Sequence, residues 1–224
     1  MLSIVDPGIQ KKKFRGAILD LDGVLVDTPR YHYEAWKRLA AELGFEFSDV
    51  DNERIKGVSR ERSLDILLET HHLSFDPAIK KDLADKKNLW YLESIASMNE
   101  SSLLPGVHSF LVSIKSKGVK LAVGSASRNV LLILGHLNIA HLFDAVIDAH
   151  RVSKTKPHPE VFLLAAREME LSPVECIVFE DAEPGLEAAR MAGMYAVGLG
   201  KAERLPRANL IISTFADLDI DALF

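Results

Sequence analysis

Asp20 and Asp22 stand where the apolar run 17–21 gives out, with Gly23 next, and Glu180 and Asp181 end the later apolar run 177–179 in the same manner. If both runs are strands, both acid pairs project from the carboxyl ends of strands, where open α/β sheets bind ligands. Carboxylates gathered without compensation repel one another, so the arrangement suits a hard divalent cation with oxygen ligands, magnesium being the economical choice. Each pair alone has a plainer reading. Acids at loop tips are ordinarily solvated turns, and an acid pair at a helix N-terminus is favoured by the helix dipole. The second explanation does not account for the first pair.

Two further residues complete a phosphate site. Ser125 follows the apolar run 119–123, where its hydroxyl and the neighbouring backbone N–H groups can hold phosphoryl oxygens. Lys156, directly ahead of Pro157, can neutralise both a phosphoryl group and a nucleophile. A serine after a strand is weak evidence, and a lysine in a loop is usually solubilising. The ordered set is stronger: DLDG at the first run, SAS at the second, KP in a later loop and ED at the fourth.

These residues need a scaffold. Apolar runs bounded by turn residues recur at 17–21, 119–123, 145–147, 177–179, 195–199 and 210–212, which reads as buried parallel strands. Helical patterns lie between most of them: 107–117 stopping at Gly118, 130–137 after Asn129, 160–169 after Pro159, and 185–191 stopping at Gly193. The alternation predicts an α/β fold with a doubly wound, Rossmann-like parallel sheet. One region breaks it. From 31 to 98 the pattern is helical almost throughout, with Tyr33, Trp36, Ala40 and Leu43 on one face before Gly44, and Leu64, Ile66, Leu67 and Leu68 in a second segment. This predicts a helical cap at 29–98 inserted into a core of 14–28 and 99–224, with hinges near Thr28 and at 101–104, and a solvated tail at 1–13.

Composition narrows the partners. A chain of 224 residues with 48% hydrophobic content can bury a sizeable core. Its 27 basic against 32 acidic residues give a net charge of -5, so no global positive field draws it to nucleic acid or acidic membranes, and a small-molecule partner is favoured. No apolar stretch approaches the roughly 18 residues of a membrane span. The single cysteine, Cys176, excludes an intrachain disulfide framework and suits a reducing, cytoplasmic home. No long heptad pattern calls for a coiled-coil dimer, and the expected state is a monomer.

The ordered set DLDG, SAS, KP and ED resembles the haloacid dehalogenase superfamily, specifically its magnesium-dependent phosphotransferases, over about residues 14 to 199. The resemblance implies that Asp20 is a nucleophile that becomes an aspartyl phosphate. It implies that Asp22 is a general acid/base that also binds metal through its backbone carbonyl, with Asp181 and Asp20 completing the ligands and Glu180 supporting the metal site. A carboxyl group at position 22 can protonate a leaving oxygen and later deprotonate an attacking hydroxyl, which a metal-free dehalogenase would not need.

The cap run Tyr31, His32, Ala35, Trp36, then Lys56-Gly57-Val58-Ser59-Arg60, then Lys87-Asn88, is similar to the β-phosphoglucomutase family. That family interconverts β-glucose 1-phosphate and glucose 6-phosphate through a bisphosphate, and must hold two phosphates at once. By resemblance Arg60, Ser127, Arg128 and Asn129 bind the distal phosphate, while Lys87 and His32 recognise the sugar and position Asp22. Thr28, Lys56, Gly57 and Trp36 complete the implied substrate set, although the helical spacing of Trp36 favours a place in the cap's core. Arg128 replaces a lysine expected in the family, keeping the charge and adding a bidentate fork. Arg60 pairing with Glu61 or Glu53 on a helix surface is the plainer alternative. A sugar-phosphate phosphatase and a non-catalytic sugar-phosphate sensor remain open on the same scaffold.

Overall fold

Alternate residues of each inner strand go to opposite sides of the sheet, and both sides are dry. In β1 (Gly16–Leu19), Ala17 and Leu19 join one apolar cluster and Ile18 another, all fully buried. The computed structural model describes residues 14–224; the segment 1–13, expected to be a solvated tail, lies outside the described residues. After β1 come α1 (Pro29–Leu43), α2 (Asp49–Ile55), α3 (Arg60–Thr70), α4 (Pro77–Ile95) and α5 (Val107–Ser116). Then follow β2 (Lys120–Gly124), α6 (Val130–His136), β3 (Ala145–Ile147), α7 (Glu160–Glu168), β4 (Cys176–Glu180), α8 (Glu183–Met191), β5 (Tyr195–Leu199), β6 (Leu210–Ile212) and the short α9 (Ile220–Leu223).

The six strands form one parallel sheet in the order β3-β2-β1-β4-β5-β6. Leu121, Val123, Ile177 and Phe179 face the side covered by α5 and α6, where Phe110, Ile114, Val130 and Ile133 fill the layer. Ala122, Cys176 and Val178 face the side covered by α7 and α8, against Phe162, Ala165, Leu186 and Ala189. Burial on both faces is why these strands read as continuous apolar runs instead of alternating ones.

The helical stretch between β1 and β2 breaks into separate helices at capping residues. Gly44 ends α1 in the left-handed conformation, φ 84°. Ser48 and Asp51 form a capping box at α2, Ser59 caps α3 by accepting from Arg62 N, and Asp76 caps α4 ahead of Pro77. Trp36, Leu39, Ala40, Ile55, Leu64, Leu67, Leu68 and Ala84 make a cluster of their own, while Tyr91 and Ile95 of α4 reach the main core. Leu64, Leu67 and Leu68 of the second segment form the buried stripe of a 3.6-residue helix, and Ile66 beside them is half-buried against the same cluster.

Two boundaries bear on the site. β4 runs to Glu180 itself, so that acid is held by the sheet. Helix α8 starts two residues before the expected Gly185, with Pro184 in its first turn. Among the described residues no helix is long and apolar enough to cross a membrane.

Candidate active site

The strands β2, β1 and β4 are neighbours, and each delivers polar residues at its carboxyl end. The ladder extends past β1, since Asp20 N donates to Phe179 O at 3.0 Å, and past β2, since Ser125 N donates to Ile147 O at 3.0 Å. Asp20 and Ser125 are therefore held by sheet hydrogen bonds. Gly23 turns the chain back at φ 79°, and its N–H donates to Val26 O at 2.9 Å. A side chain there would also collide with the Asp181 carboxylate, a second reason for glycine in DLDG.

Asp20, Glu180 and Asp181 each place a carboxyl oxygen within 4.8 Å of the others. Lys156 lies between two of them, its Nζ donating to Asp20 Oδ1 at 2.9 Å and to Glu180 Oε1 at 2.5 Å. The ammonium also sits 4.9 Å from the centre of the Phe162 ring. Burial opposes its charge, but Asp20 and Glu180 outweigh burial and hold it protonated. The second oxygen of Glu180 accepts from the backbone of Asp181 at 2.9 Å and of Ala182 at 3.1 Å, so Glu180 is tied down on both sides. Lys56, from the turn after α2, pairs with Asp181 at 2.9 Å.

Burial pushes the Asp20 carboxyl up, against the pull of Lys156. It pushes Glu180 up to about 8 and Asp181 up to about 6, with the neighbouring acids adding to the effect. Two buried carboxyls and a half-buried one, with oxygen-only donors and raised proton affinity, are under-compensated by Lys156 and Lys56. A hard divalent cation supplies the missing charge, so the residues present fit one.

Asp22 points elsewhere. Its Oδ1 accepts the Thr28 hydroxyl and lies 3.7 Å from His32 Nε2. Burial would raise this carboxyl, but His32, then Thr28 and Lys87, outweigh burial and hold it below its ordinary value. The other ring nitrogen of His32 lies 2.6 Å from Lys87 Nζ, and the ring stacks on Tyr91 at 4.0 Å. Lys87 is 2% exposed, with its ammonium 4.8 Å from the Trp36 ring centre; burial, then Arg60, brings it down to about 7.

These groups open on one cleft between the sheet edge and the helices α1 to α4. Of the residues expected at the site, Asp20, Asp22, His32, Trp36, Lys56, Gly57, Arg60, Lys87, Ser125, Ser127, Arg128, Asn129, Lys156 and Asp181 line it. Thr28 and Glu180 are fully buried behind Asp22 and Lys156 and act through them. Trp36 is 4% exposed and both packs in the cap cluster and lines the cleft. In the loop after β2, Ser127 N donates to Ser125 Oγ and Asn129 N to Ser127 Oγ, each at 3.1 Å, which folds the loop over the strand end.

Arg60 takes neither Glu61 nor Glu53 as its ion-pair partner. Its nearest acid is Asp85 at 3.6 Å, while Glu61 pairs with Arg128 at 2.6 Å and Glu53 with Arg204 at 3.1 Å. Sequence reasoning missed Tyr91 and Phe162, the rings against His32 and Lys156. Tyr91 follows Lys87 by one helical turn, a spacing that points to it; for Phe162 only the fold makes the connection. Asn88, seen as part of a motif, accepts from Asn129 Nδ2 at 3.0 Å and joins α4 to the loop after β2.

Gly185 tests how tightly Glu180 is held. A Cβ at Gly185 would overlap the Glu180 carboxyl, at a buried position in the first turn of α8. Gly185→Ala is expected to displace Glu180 from Lys156 and lower the melting temperature by several degrees, about 2–4 °C for each kcal/mol lost. A thermal melt unchanged within a degree would show that Glu180 has room to move.

The haloacid dehalogenase-like hydrolase family profile matches residues 17–199. The β-phosphoglucomutase of Bacillus subtilis is 38% identical over 214 residues, covering 93% of each chain. The fructose-1-phosphate phosphatase of Escherichia coli is 30% identical over 187 residues, covering 83% of this chain and 96% of the enzyme. A crystal structure of β-phosphoglucomutase from Clostridium difficile superposes with a TM-score of 0.89 at 39% identity, covering 93% of this chain and 94% of that one.

Proposed function

We propose that this chain, which belongs to the haloacid dehalogenase-like hydrolase family, is a magnesium-dependent mutase interconverting β-glucose 1-phosphate and glucose 6-phosphate. The observation that carries this reading is that one cleft is lined by two sets of cations: Lys156 beside Asp20, and Arg60 and Arg128 together with Ser127 and Asn129. A phosphatase needs the first set, whereas a sugar bisphosphate intermediate needs both. The 38% identity to a β-phosphoglucomutase supports the same choice.

In the proposed reaction, Asp20 carries a phosphoryl group at its carboxylate. The sugar 6-hydroxyl attacks the phosphorus, Asp22 takes the hydroxyl proton, and the bond to Asp20 breaks to leave the 1,6-bisphosphate. After the bisphosphate turns round, Asp20 attacks the phosphoryl group at carbon 1. Asp22 then returns its proton to the departing sugar oxygen. The depressed Asp22 carboxyl is ready as a base for the first half, and the proton it gains there is the one it needs for the second. Asp20, Asp181, the Asp22 backbone carbonyl and Glu180 would hold magnesium. When bound, that ion neutralises charge on the transferring phosphoryl group. Residues 29–98, hinged at Thr28 and at 101–104, would act as the cap that keeps water from the aspartyl phosphate.

A sugar-phosphate phosphatase is the second reading, supported by the similarity to the E. coli phosphatase, because the same acids can activate water. A time course of isomerised sugar and free phosphate from β-glucose 1-phosphate, with magnesium and a trace of bisphosphate, decides between them. The mutase reading requires glucose 6-phosphate to outrun inorganic phosphate. Phosphate release at a matching or greater rate selects the phosphatase.

Metal affinity is expected to depend on pH. Metal-free Glu180 and Asp181 keep protons up to about 8 and about 6, and a cation must displace them. Magnesium affinity should therefore rise from pH 6 to pH 8 and fall below pH 6, by up to about tenfold per pH unit for each proton released. Calorimetric titration at several pH values reads this directly, and a flat profile would contradict it.

A further inference from the structure

Glu61 is the second residue of α3, and its carboxylate reaches across the cleft to Arg128 on the far side at 2.6 Å. Both side chains are partly open to water, 40% for Arg128 and 48% for Glu61, so the pair is easily exchanged. Arg60, beside Glu61 in the chain, is 14% exposed and has only a longer contact to Asp85, at 3.6 Å. Burial lowers its proton affinity against the pull of Glu61, and the charge of Arg128 lowers it further. Glu61 thus pairs with one cation and acts on a second, and all three residues line the cleft that Lys156 also lines.

We propose that Glu61 is a resident counter-ion which the second phosphate of a bisphosphate must displace, making it a specificity-determining residue at the distal end. The proposal rests on the two-phosphate reading of the cleft. A phosphate dianion between Arg60 and Arg128 carries more charge than the carboxylate and can bind a guanidinium through two oxygens. Once it arrives, Glu61 faces a like charge and must turn out to solvent, which its exposure permits. In the unphosphorylated protein a ligand with one phosphate, seated at Lys156, leaves the Glu61–Arg128 pair intact, whereas the sugar phosphate that meets phosphorylated Asp20 must displace Glu61 as the bisphosphate does. Glu61 therefore weakens bisphosphate binding without touching monophosphate binding at the other end, and so helps the intermediate leave its distal site to turn round.

The test is calorimetry on Asp20→Asn protein with magnesium, comparing glucose 1,6-bisphosphate with glucose 1-phosphate. Adding Glu61→Gln should raise the affinity ratio of bisphosphate to monophosphate by about threefold to tenfold. Glu61→Asp should stay near the parent, and the gain should vanish when Arg128→Ala is also present. A ratio that is unchanged or falls with Glu61→Gln overturns the exchange, a fall meaning that Glu61 orients Arg128 for phosphate. If Arg128→Ala alone lowers the ratio in that case, the two-phosphate reading survives. If the parent shows no preference for bisphosphate, that reading fails and the exchange fails with it.

Discussion

Asp20→Asn is expected to lower kcat by about ten-thousand-fold or more while the protein stays folded and still binds sugar phosphate. The amide has nearly the shape of the carboxylate but cannot attack phosphorus, so the covalent intermediate is lost. Folding should survive for a specific reason. Burial already works against the Asp20 charge, and Lys156 keeps its 2.5 Å contact with Glu180 when Asp20 is neutralised. Initial rates, together with acid-quenched labelling from a phosphoryl donor, measure the loss. Calorimetry with glucose 6-phosphate measures the binding that remains. Turnover surviving within tenfold would remove Asp20 as the nucleophile. A wild-type protein without turnover but with tight binding would point to the sensor instead.

Lys156→Met should damage both folding and chemistry. The side chain is 1% exposed and is the shared cation of two acids that are themselves buried, Asp20 and Glu180. Methionine fills most of the volume, so the change isolates the charge. Leaving buried carboxylates without their partner costs about 3–5 kcal/mol, and losing one preorganised cation at the transferring group costs about 100- to 1,000-fold in kcat.

The sign of the pH dependence follows from the raised acids. Without Lys156 the folded-state proton affinities of Asp20 and Glu180 rise further above their unfolded values. Below the unfolded values both acids are protonated in either state and the penalty disappears. As pH rises through and above them, the unfolded chain gives up protons that the folded one retains, and stability is lost. The gap in urea-melt stability between wild type and Lys156→Met, measured without metal, should therefore widen as pH rises through about 8, the wild-type value of Glu180, and narrow towards lower pH. A gap independent of pH would mean that the lost ammonium is not what balances these acids.

The sheet was legible because strands buried on both faces leave unbroken apolar runs, and each of the six runs became a strand shifted by at most two residues. The shifts have local causes. The strand ending at Glu180 is longer than its apolar run because the acid itself pairs in the ladder. The helix at 183 starts before the expected glycine because Pro184 is favoured in a first helical turn. In the helical stretch, Gly44 was a readable stop, and the second segment with Leu64, Ile66, Leu67 and Leu68 became α3.

What the sequence determined by itself is the reactive inventory and its order: two acid pairs, a serine, a lysine, and the strand ends that carry them. Side-chain type and backbone periodicity are local properties, and local properties survive in one dimension. Only the tertiary structure decided who partners whom. Lys156 bridging acids 136 and 24 residues away, Asp22 turned towards His32, and Glu61 taking Arg128 while Arg60 goes to Asp85 all depend on distances between distant segments. Charge pairing falls off over a few ångströms and is indifferent to separation along the chain, so no spacing in the sequence encodes it.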